Sequence, residues 1–296
     1  MSSLRTLVAV ALIVLVGAVL EDAASSSPRY EAFRAPAALP SARSAAKRPP
    51  SPPRASSPMR TVGASPYSSR GAKAIARLVH LGLPLYCAGS RGREVAFTFD
   101  DGPGPYTGLA LRILRRTHEQ ATFFVVGRNI TRYPGMLRRE ESLAVVGDHT
   151  WDHLDLVALP PALVRDQIRR TALAEQRETG RRTLLFRPPY AARNARVDGI
   201  VRSLGLLEVL WDVDSRDWAG ANPRQIARNV IGRLRPGDIV LFHENRGQTI
   251  KALVRIVLPT LKQLHLHSVS LETLLATDPP TLALLHAGYT GCLRRR

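Results

Sequence analysis

The sequence predicts a single α/β domain of barrel-like architecture, and two observations carry that prediction. From about residue 92 onward, short apolar runs rich in Val, Ile, Leu and Phe alternate with longer amphipathic stretches. Seven runs have strand length, at 94–99, 122–126, 143–146, 184–187, 208–211, 238–242 and 268–269, and strands separated by helices pair in parallel through crossover connections. The polar residues that can do chemistry also track the ends of these runs. Asp100 and Asp101 follow the first run, His149 the third and Arg187 the fourth; Asp214 and Asp217 follow the fifth, and His243 the sixth. In a parallel barrel the functional groups gather at the C-terminal ends of the strands.

The intervening stretches read as helices with recognisable ends. Residues 109–117 carry apolar side chains at helical spacing, and residues 161–178 open with Pro161 in the first turn and stop at Gly180. Residues 197–204 stop at Gly205, residues 223–234 follow Asn222 as N-cap, and residues 249–264 form the longest of the late helices.

The chain of 296 residues divides into four expected parts: 1–23, 24–91, 92–280 and 281–296. Arg5 precedes an unbroken apolar run over 7–20, the pattern of a secretory signal peptide and short for a membrane span; an uncleaved N-terminal anchor is the alternative. Residues 24–91 are dominated by Pro, Ser, Ala and Arg, too poor in large apolar side chains to offset their ordering entropy, and are expected as a disordered linker. Residues 281–296 are expected as a C-terminal tail. The expected location is secreted or attached to the cell surface.

The formal net charge is +18. Residues 1–92 hold 12 Lys and Arg against 3 Asp and Glu, so half of the excess, 12 − 3 = +9, lies ahead of the predicted domain. A basic linker suits anionic cell-wall polymers or a membrane surface; a merely soluble arginine-rich spacer is the plain alternative. No basic groove interleaved with aromatic residues is visible, so nucleic acid is not an expected partner. The two cysteines, Cys87 and Cys292, read as one disulfide in an exported chain or as two free thiols.

His149 and His153 are four apart, a spacing that puts both on one side of a helical turn, and with one carboxylate they make a three-ligand metal site. Asp100 and Asp101 are adjacent on a strand, so their side chains are expected on opposite faces with different jobs. One binds the metal; the other takes a proton from the attacking water. His243 is placed to protonate a leaving amine, with Asp214 or Asp217 keeping it charged. Arg187 is placed to hold Asp100 ionised.

Taken together, these residues resemble the polysaccharide deacetylases of the NodB-homology type, the family-four carbohydrate esterases. Five motifs stand in that family's order: Thr98-Phe-Asp-Asp-Gly-Pro103, His149-Thr-Trp-Asp-His153, Arg187-Pro-Pro-Tyr190, Asp214-Ser-Arg-Asp-Trp218 and Leu241-Phe-His243. The resemblance covers about residues 92–276. It implies a distorted seven-stranded β/α barrel and a metal-dependent hydrolase, acting on acetylated polysaccharide. Asp100 becomes the general base and His243 the general acid, tuned by Asp217. Asp101, His149 and His153 bind a divalent metal, usually zinc. Arg187 orients Asp100, the backbone N–H of Tyr190 stabilises the oxyanion, and Trp218 and Leu241 line the acetyl pocket. The substrate class is an N-acetylglucosamine polymer of the peptidoglycan or chitin kind. O-deacetylation of xylan, or a catalytically weak wall-associated glycan-binding protein, are the alternatives. The chain departs from the pattern at Ala191, where glycine is usual, at Glu244 in place of aspartate, and at Asp152 in place of serine. Alanine at 191 is unfavourable if that backbone needs a positive φ.

Overall fold

The computed structural model describes residues 68–294, the side chain of Arg294 excepted. The expected signal, and the linker up to residue 67, lie outside the described residues. Its centre is β1 (Glu94–Gly102), which pairs in parallel with β2 (Thr122–Val125), β7 (Ile239–His243) and β8 (His267–Ser268). Beyond β2 come β3 (Val145–Asp148), β4 (Leu185–Phe186) and β5 (Leu207–Glu208); beyond β7 comes β6 (Val213–Asp214). The path β5-β4-β3-β2-β1-β7-β6 is parallel throughout. It curls into a seven-strand half-barrel, with β8 added off the path. The expected α/β barrel fold is observed.

The fifth apolar run, expected as one strand at 208–211, shortens to β5 at Leu207–Glu208, and β6 forms separately just beyond it at Val213–Asp214, at the opposite end of the path. The carbonyls of that run mark the break. Arg187 Nε donates to Val209 O at 3.1 Å and Arg187 Nη2 donates to Leu210 O at 3.0 Å. These acceptors serve a buried guanidinium rather than a strand partner, and β5 and β6 do not pair; Leu85 bridges to Val209 and Cys87 to Asp238 at this seam.

Alternation along β1 sorts the core. Val95, Phe97 and Phe99 join Phe123, Val240 and Phe242 in a cluster packed against helices. The Phe99 ring stacks on Phe123 at 5.2 Å and on Phe242 at 5.4 Å between centroids. Ala96 lies on the other face, with Phe124, Leu185, Leu207 and Ile239. Thr98 and Asp100 share that face, one and two steps further up.

The expected helices form as α2 (Thr107–Thr117), α5 (Pro161–Thr179), α6 (Ala195–Ser203) and α7 (Pro223–Ile231). Two further helices, α3 (Gly127–Arg132) and α4 (Met136–Glu141), were too short to show a period. The long late helix starts at Gly247 and is interrupted. A widened π turn, Leu253–Val257, separates α8 (Gly247–Ala252) from α9 (Leu258–Gln263). Pro259 lacks the N–H that an unbroken α-helix needs there. No helix among the described residues is long and apolar enough to cross a membrane.

Both expected boundaries of the domain need correction. The stretch assigned to linker contains α1 (Ser69–Leu81), capped by Ser68 and stopped by Gly82 at φ 67. Ile75 and Leu78 of α1 are buried with Leu271 and Leu274 of α10 (Leu271–Thr277). The periodic face of α1 was hidden by the proline-rich composition just ahead of it. The stretch assigned to tail is helix α11 (Leu282–Arg294). Cys292 of α11 is bonded to Cys87, closing 205 residues, which stabilises by about 5 kcal/mol in the chain-entropy account.

Candidate active site

The β1–β7 register sets Asp100 directly beside His243. Both stand at the C-terminal ends of their strands, where the carbonyl ladder ends and the side chains face the mouth of the half-barrel. Asp101 departs from the expected alternation. The register of β1 against β2 shifts between Asp100 and Gly102, and Asp101 sits at φ 72. The bulge turns Asp101 to the same side as Asp100. His149 Nε2 consequently lies 3.7 Å from Asp100 Oδ2 and 3.9 Å from Asp101 Oδ1.

Asp101, His149 and His153 bring one ligand atom each within 4.8 Å of one another. His153 Nε2 is 3.2 Å from Asp101 Oδ1. The histidines are not on a helical turn as expected. They stand in an irregular loop in which Thr150 (φ 68) and His153 (φ 58) are left-handed. Polar bonds hold this backbone: Thr150 N–H donates to Asp148 Oδ1 at 2.7 Å, and His153 N–H to Thr150 Oγ1 at 3.1 Å. His149 Nδ1 donates to the carbonyl of Arg187 at 2.7 Å; a carbonyl only accepts, so Nδ1 carries the proton and the Nε2 lone pair faces Asp101. Burial and the neighbouring His153 push the His149 pKa down to about 3, which keeps the imidazole neutral. A neutral, tautomer-fixed imidazole, a second histidine and a carboxylate fit a divalent metal ion.

On the other side, His243 Nδ1 donates to Asp217 Oδ1 at 2.7 Å, and the His243 backbone N–H donates to Asp217 Oδ2 at 2.8 Å. Burial would lower the His243 pKa, but the bond and charge of Asp217, with Asp100 and Asp101, outweigh it and raise the pKa to about 9. Asp217 is held below the carboxylate range, its own burial being outweighed by bonds from His243 and Thr249. Asp214 is not the partner of His243; it accepts from Trp218 Nε1 at 3.2 Å.

Arg187 is fully buried. Its Nη1 donates to Asp100 Oδ1 and to Thr98 Oγ1, both at 2.8 Å, and its guanidinium lies 4.2 Å from the Phe124 ring centroid. Burial raises the pKa of Asp100, and the charge of Arg187 opposes that rise. Trp218 is exposed at the rim, whereas Leu241 is buried one alternation below His243.

Tyr190 (φ 59) and Ala191 (φ 54) are both left-handed, so alanine stands where the backbone favours glycine. The side chain of Tyr190 has a contact that sequence reasoning missed: its hydroxyl lies 3.1 Å from His153 Nδ1. Three further supports were missed. Asn129 Nδ2 donates to the Asp101 carbonyl at 2.9 Å, Asn245 Nδ2 to Asp101 Oδ2 at 3.3 Å, and Thr249 Oγ1 to Asp217 Oδ2 at 2.5 Å. The one signal available was Asn245, a polar residue just past the His243 strand end. Glu244 is buried against Thr107 and Gly102. Burial, chiefly, and the charges of Asp101 and Asp100 push its pKa up to about 8 against the Thr107 bond. Asp152 exchanges bonds with Gln167, at 2.8 and 2.9 Å, and ties the ligand loop to α5.

A parallel half-barrel with a buried carboxylate–arginine pair, an aspartate-backed histidine and a His-His-Asp set at its strand ends defines a narrow class of protein. Residues 88–209 match the family model described as polysaccharide deacetylase. The chitooligosaccharide deacetylase of Rhizobium leguminosarum bv. trifolii is 33% identical over 208 residues, covering 65% of this chain and 95% of that protein. The peptidoglycan-N-acetylglucosamine deacetylase PgdA of Listeria monocytogenes is 36% identical over 163 residues, 54% of this chain; the chain spans only 34% of that longer relative. The crystal structure of the Bc1960 peptidoglycan N-acetylglucosamine deacetylase superposes with a TM-score of 0.64 at 29% identity, covering 69% of this chain and 98% of that one. The chain belongs to the polysaccharide deacetylase family.

Proposed function

We propose that this protein hydrolyses N-acetyl groups from an N-acetylglucosamine polymer of the peptidoglycan or chitin kind, with zinc at Asp101, His149 and His153. The observation that carries the reading is the Asp100–His243 register, which sets a proton acceptor and a proton donor side by side next to the three ligands. An ion held there supplies a Lewis acid that polarises the acetyl carbonyl and acidifies the attacking water. Asp100 accepts the proton from that water. Its raised pKa brings it closer to the working pH, where a general base is most effective, and Arg187 keeps it ionised. His243, protonated up to about pH 9, delivers a proton to the leaving nitrogen. The Tyr190 backbone N–H is the donor for the oxyanion; Trp218 and Leu241 bound the acetyl methyl. Three features support export: the 7–20 apolar run, the Cys87–Cys292 disulfide and the basic residues ahead of the domain. The basic stretch suits anionic wall polymers or a membrane surface.

The test is acetate release from a panel of N- and O-acetylated glycans, with and without a chelator. Release from N-acetylglucosamine polymers that stops on chelation and returns with zinc is expected. Release confined to O-acetylated xylan overturns the substrate assignment, and release indifferent to chelation overturns the metal.

A further inference from the structure

The two ends of the described chain meet at the open edge of the barrel. Leu85 and Cys87 bridge to Val209 and Asp238, and the disulfide fastens α11 to the same place. Between these ends and the chain around 210–216 lies a cleft of about 420 Å³. Three of its lining residues are aromatic: Tyr86, Trp211 and Tyr289. Gly288, at φ 56, kinks α11 just before Tyr289, and the Tyr86 and Tyr289 rings face each other at 6.0 Å and 55°. Asp214, Arg216 and Asn229 supply polar edges. Asn229 is fixed by donating to Ser215 O at 2.9 Å. Arg216 donates its backbone N–H to Asp214 at 2.7 Å, while its exposed guanidinium makes no bond within the described residues. Ala191, adjacent to Tyr190, also lines the cleft, and Asp214 bonds Trp218 at the catalytic rim. The cleft therefore adjoins the catalytic rim through the neighbours of Tyr190 and Trp218. Tyr86 and Tyr289 both fall outside the 88–209 span shared with the family.

We propose that this cleft is a sugar-binding subsite, built by the disulfide-joined ends, that holds a glycan unit neighbouring the one deacetylated. Aromatic faces pack against the C–H face of a pyranose, and a guanidinium, a carboxylate and an amide at the rim match its hydroxyl and acetamido groups. A purely apolar ligand would leave the Arg216 guanidinium without a partner. The inference rests on the deacetylase reading above, deepening it from the reacting unit to its neighbour.

The test compares kcat/KM on N-acetylglucosamine itself and on its oligomers up to the hexasaccharide, for the parent, the Tyr86→Ala/Tyr289→Ala double variant, Tyr289→Ala and Arg216→Ala. The double variant is expected to lose about tenfold on the hexasaccharide and to stay within about twofold of the parent on the monosaccharide, which cannot reach the neighbouring subsite. Equal loss at every length, or no loss, overturns the subsite. Should the double variant fail to fold, the exposed single changes carry the same comparison. Calorimetric titration of the hexasaccharide into Asp100→Asn, with and without Tyr289→Ala, separates the two readings. Weaker binding with Tyr289→Ala supports the cleft even if the parent releases no acetate, a result that overturns the deacetylase reading alone. Unchanged binding overturns the cleft.

Discussion

His149 and His243 are both largely buried histidines at strand ends, yet one is pushed down to about 3 and the other up to about 9. Burial lowers both. The difference lies in what each Nδ1 meets: a neutral carbonyl at Arg187 in one case, an ionised carboxylate at Asp217 in the other. The same residue type is thereby held neutral on one side of the site and charged on the other, as the proposed ligand and proton-donor roles require. The two sides are also built differently. His243 stands on β7 in regular register with β1, whereas the ligand side hangs on loops with Thr150, His153, Tyr190 and Ala191 at positive φ. Sheet geometry places His243 and Asp100, whereas Asp217 comes from the turn after Arg216 (φ 56) and both His149 and His153 are held by side-chain bonds to loop backbone.

The largest expected effects come from breaking each side separately. His149→Ala removes a ligand, so zinc bound per chain, read by atomic emission, should fall from one to near zero, and acetate release should fall to background. His243→Ala should leave zinc stoichiometry intact while lowering kcat by about 10²–10⁴-fold. A His243→Ala protein that also lost its metal would show that the two sides are not separable.

That division also marks what the sequence could show. The acid side was legible because a strand has a fixed period and His243 ends a plain apolar run. The ligand set was legible as residue types at a spacing, but its geometry was not. A helical turn was the natural reading of two histidines four apart, and nothing local signals that Asp148 and the Thr150 hydroxyl would hold the loop left-handed instead. The bulge at Asp101 was hidden in the same way: its cause is a register shift against β2, a long-range event. The shortening of the fifth strand at Glu208 goes with a guanidinium from β4's end taking the carbonyls of Val209 and Leu210. The helical ends of the domain were missed because proline-rich composition ahead of α1 masked a short amphipathic face.

A smaller effect tests the cause assigned to His243. Its folded pKa is raised, to about 9, above the unfolded value of about 6.5. The pair with Asp217 therefore stabilises fully below pH 6.5 or so, and that stabilisation is lost as the pH rises through about 9. Asp217→Asn removes the bond and the charge that raise it most, leaving burial opposed only by the charges of Asp100 and Asp101. NMR titration of the metal-free protein should then show the His243 midpoint dropping well below about 9. A midpoint still near 9 would assign the shift to Asp100 and Asp101 instead. The basic limb of the kcat/KM profile should move to lower pH in the same variant.

The smallest effect lies in the loop side alone. Ala191 at φ 54 carries a Cβ in a conformation that disfavours L-residues by about 1–2 kcal/mol. Glycine relieves that clash, offset in part by about 0.5–1 kcal/mol of extra freedom in the unfolded chain. Ala191→Gly should therefore raise the midpoint of thermal unfolding by about 2–4 °C for a domain of this size. The His243 midpoint should not move, because burial, Asp217, Asp100 and Asp101 set it and Ala191 is none of these. A fall in thermal midpoint would mean that the Ala191 methyl, which lines the cleft beside Trp211, contributes more by packing than its backbone loses by strain.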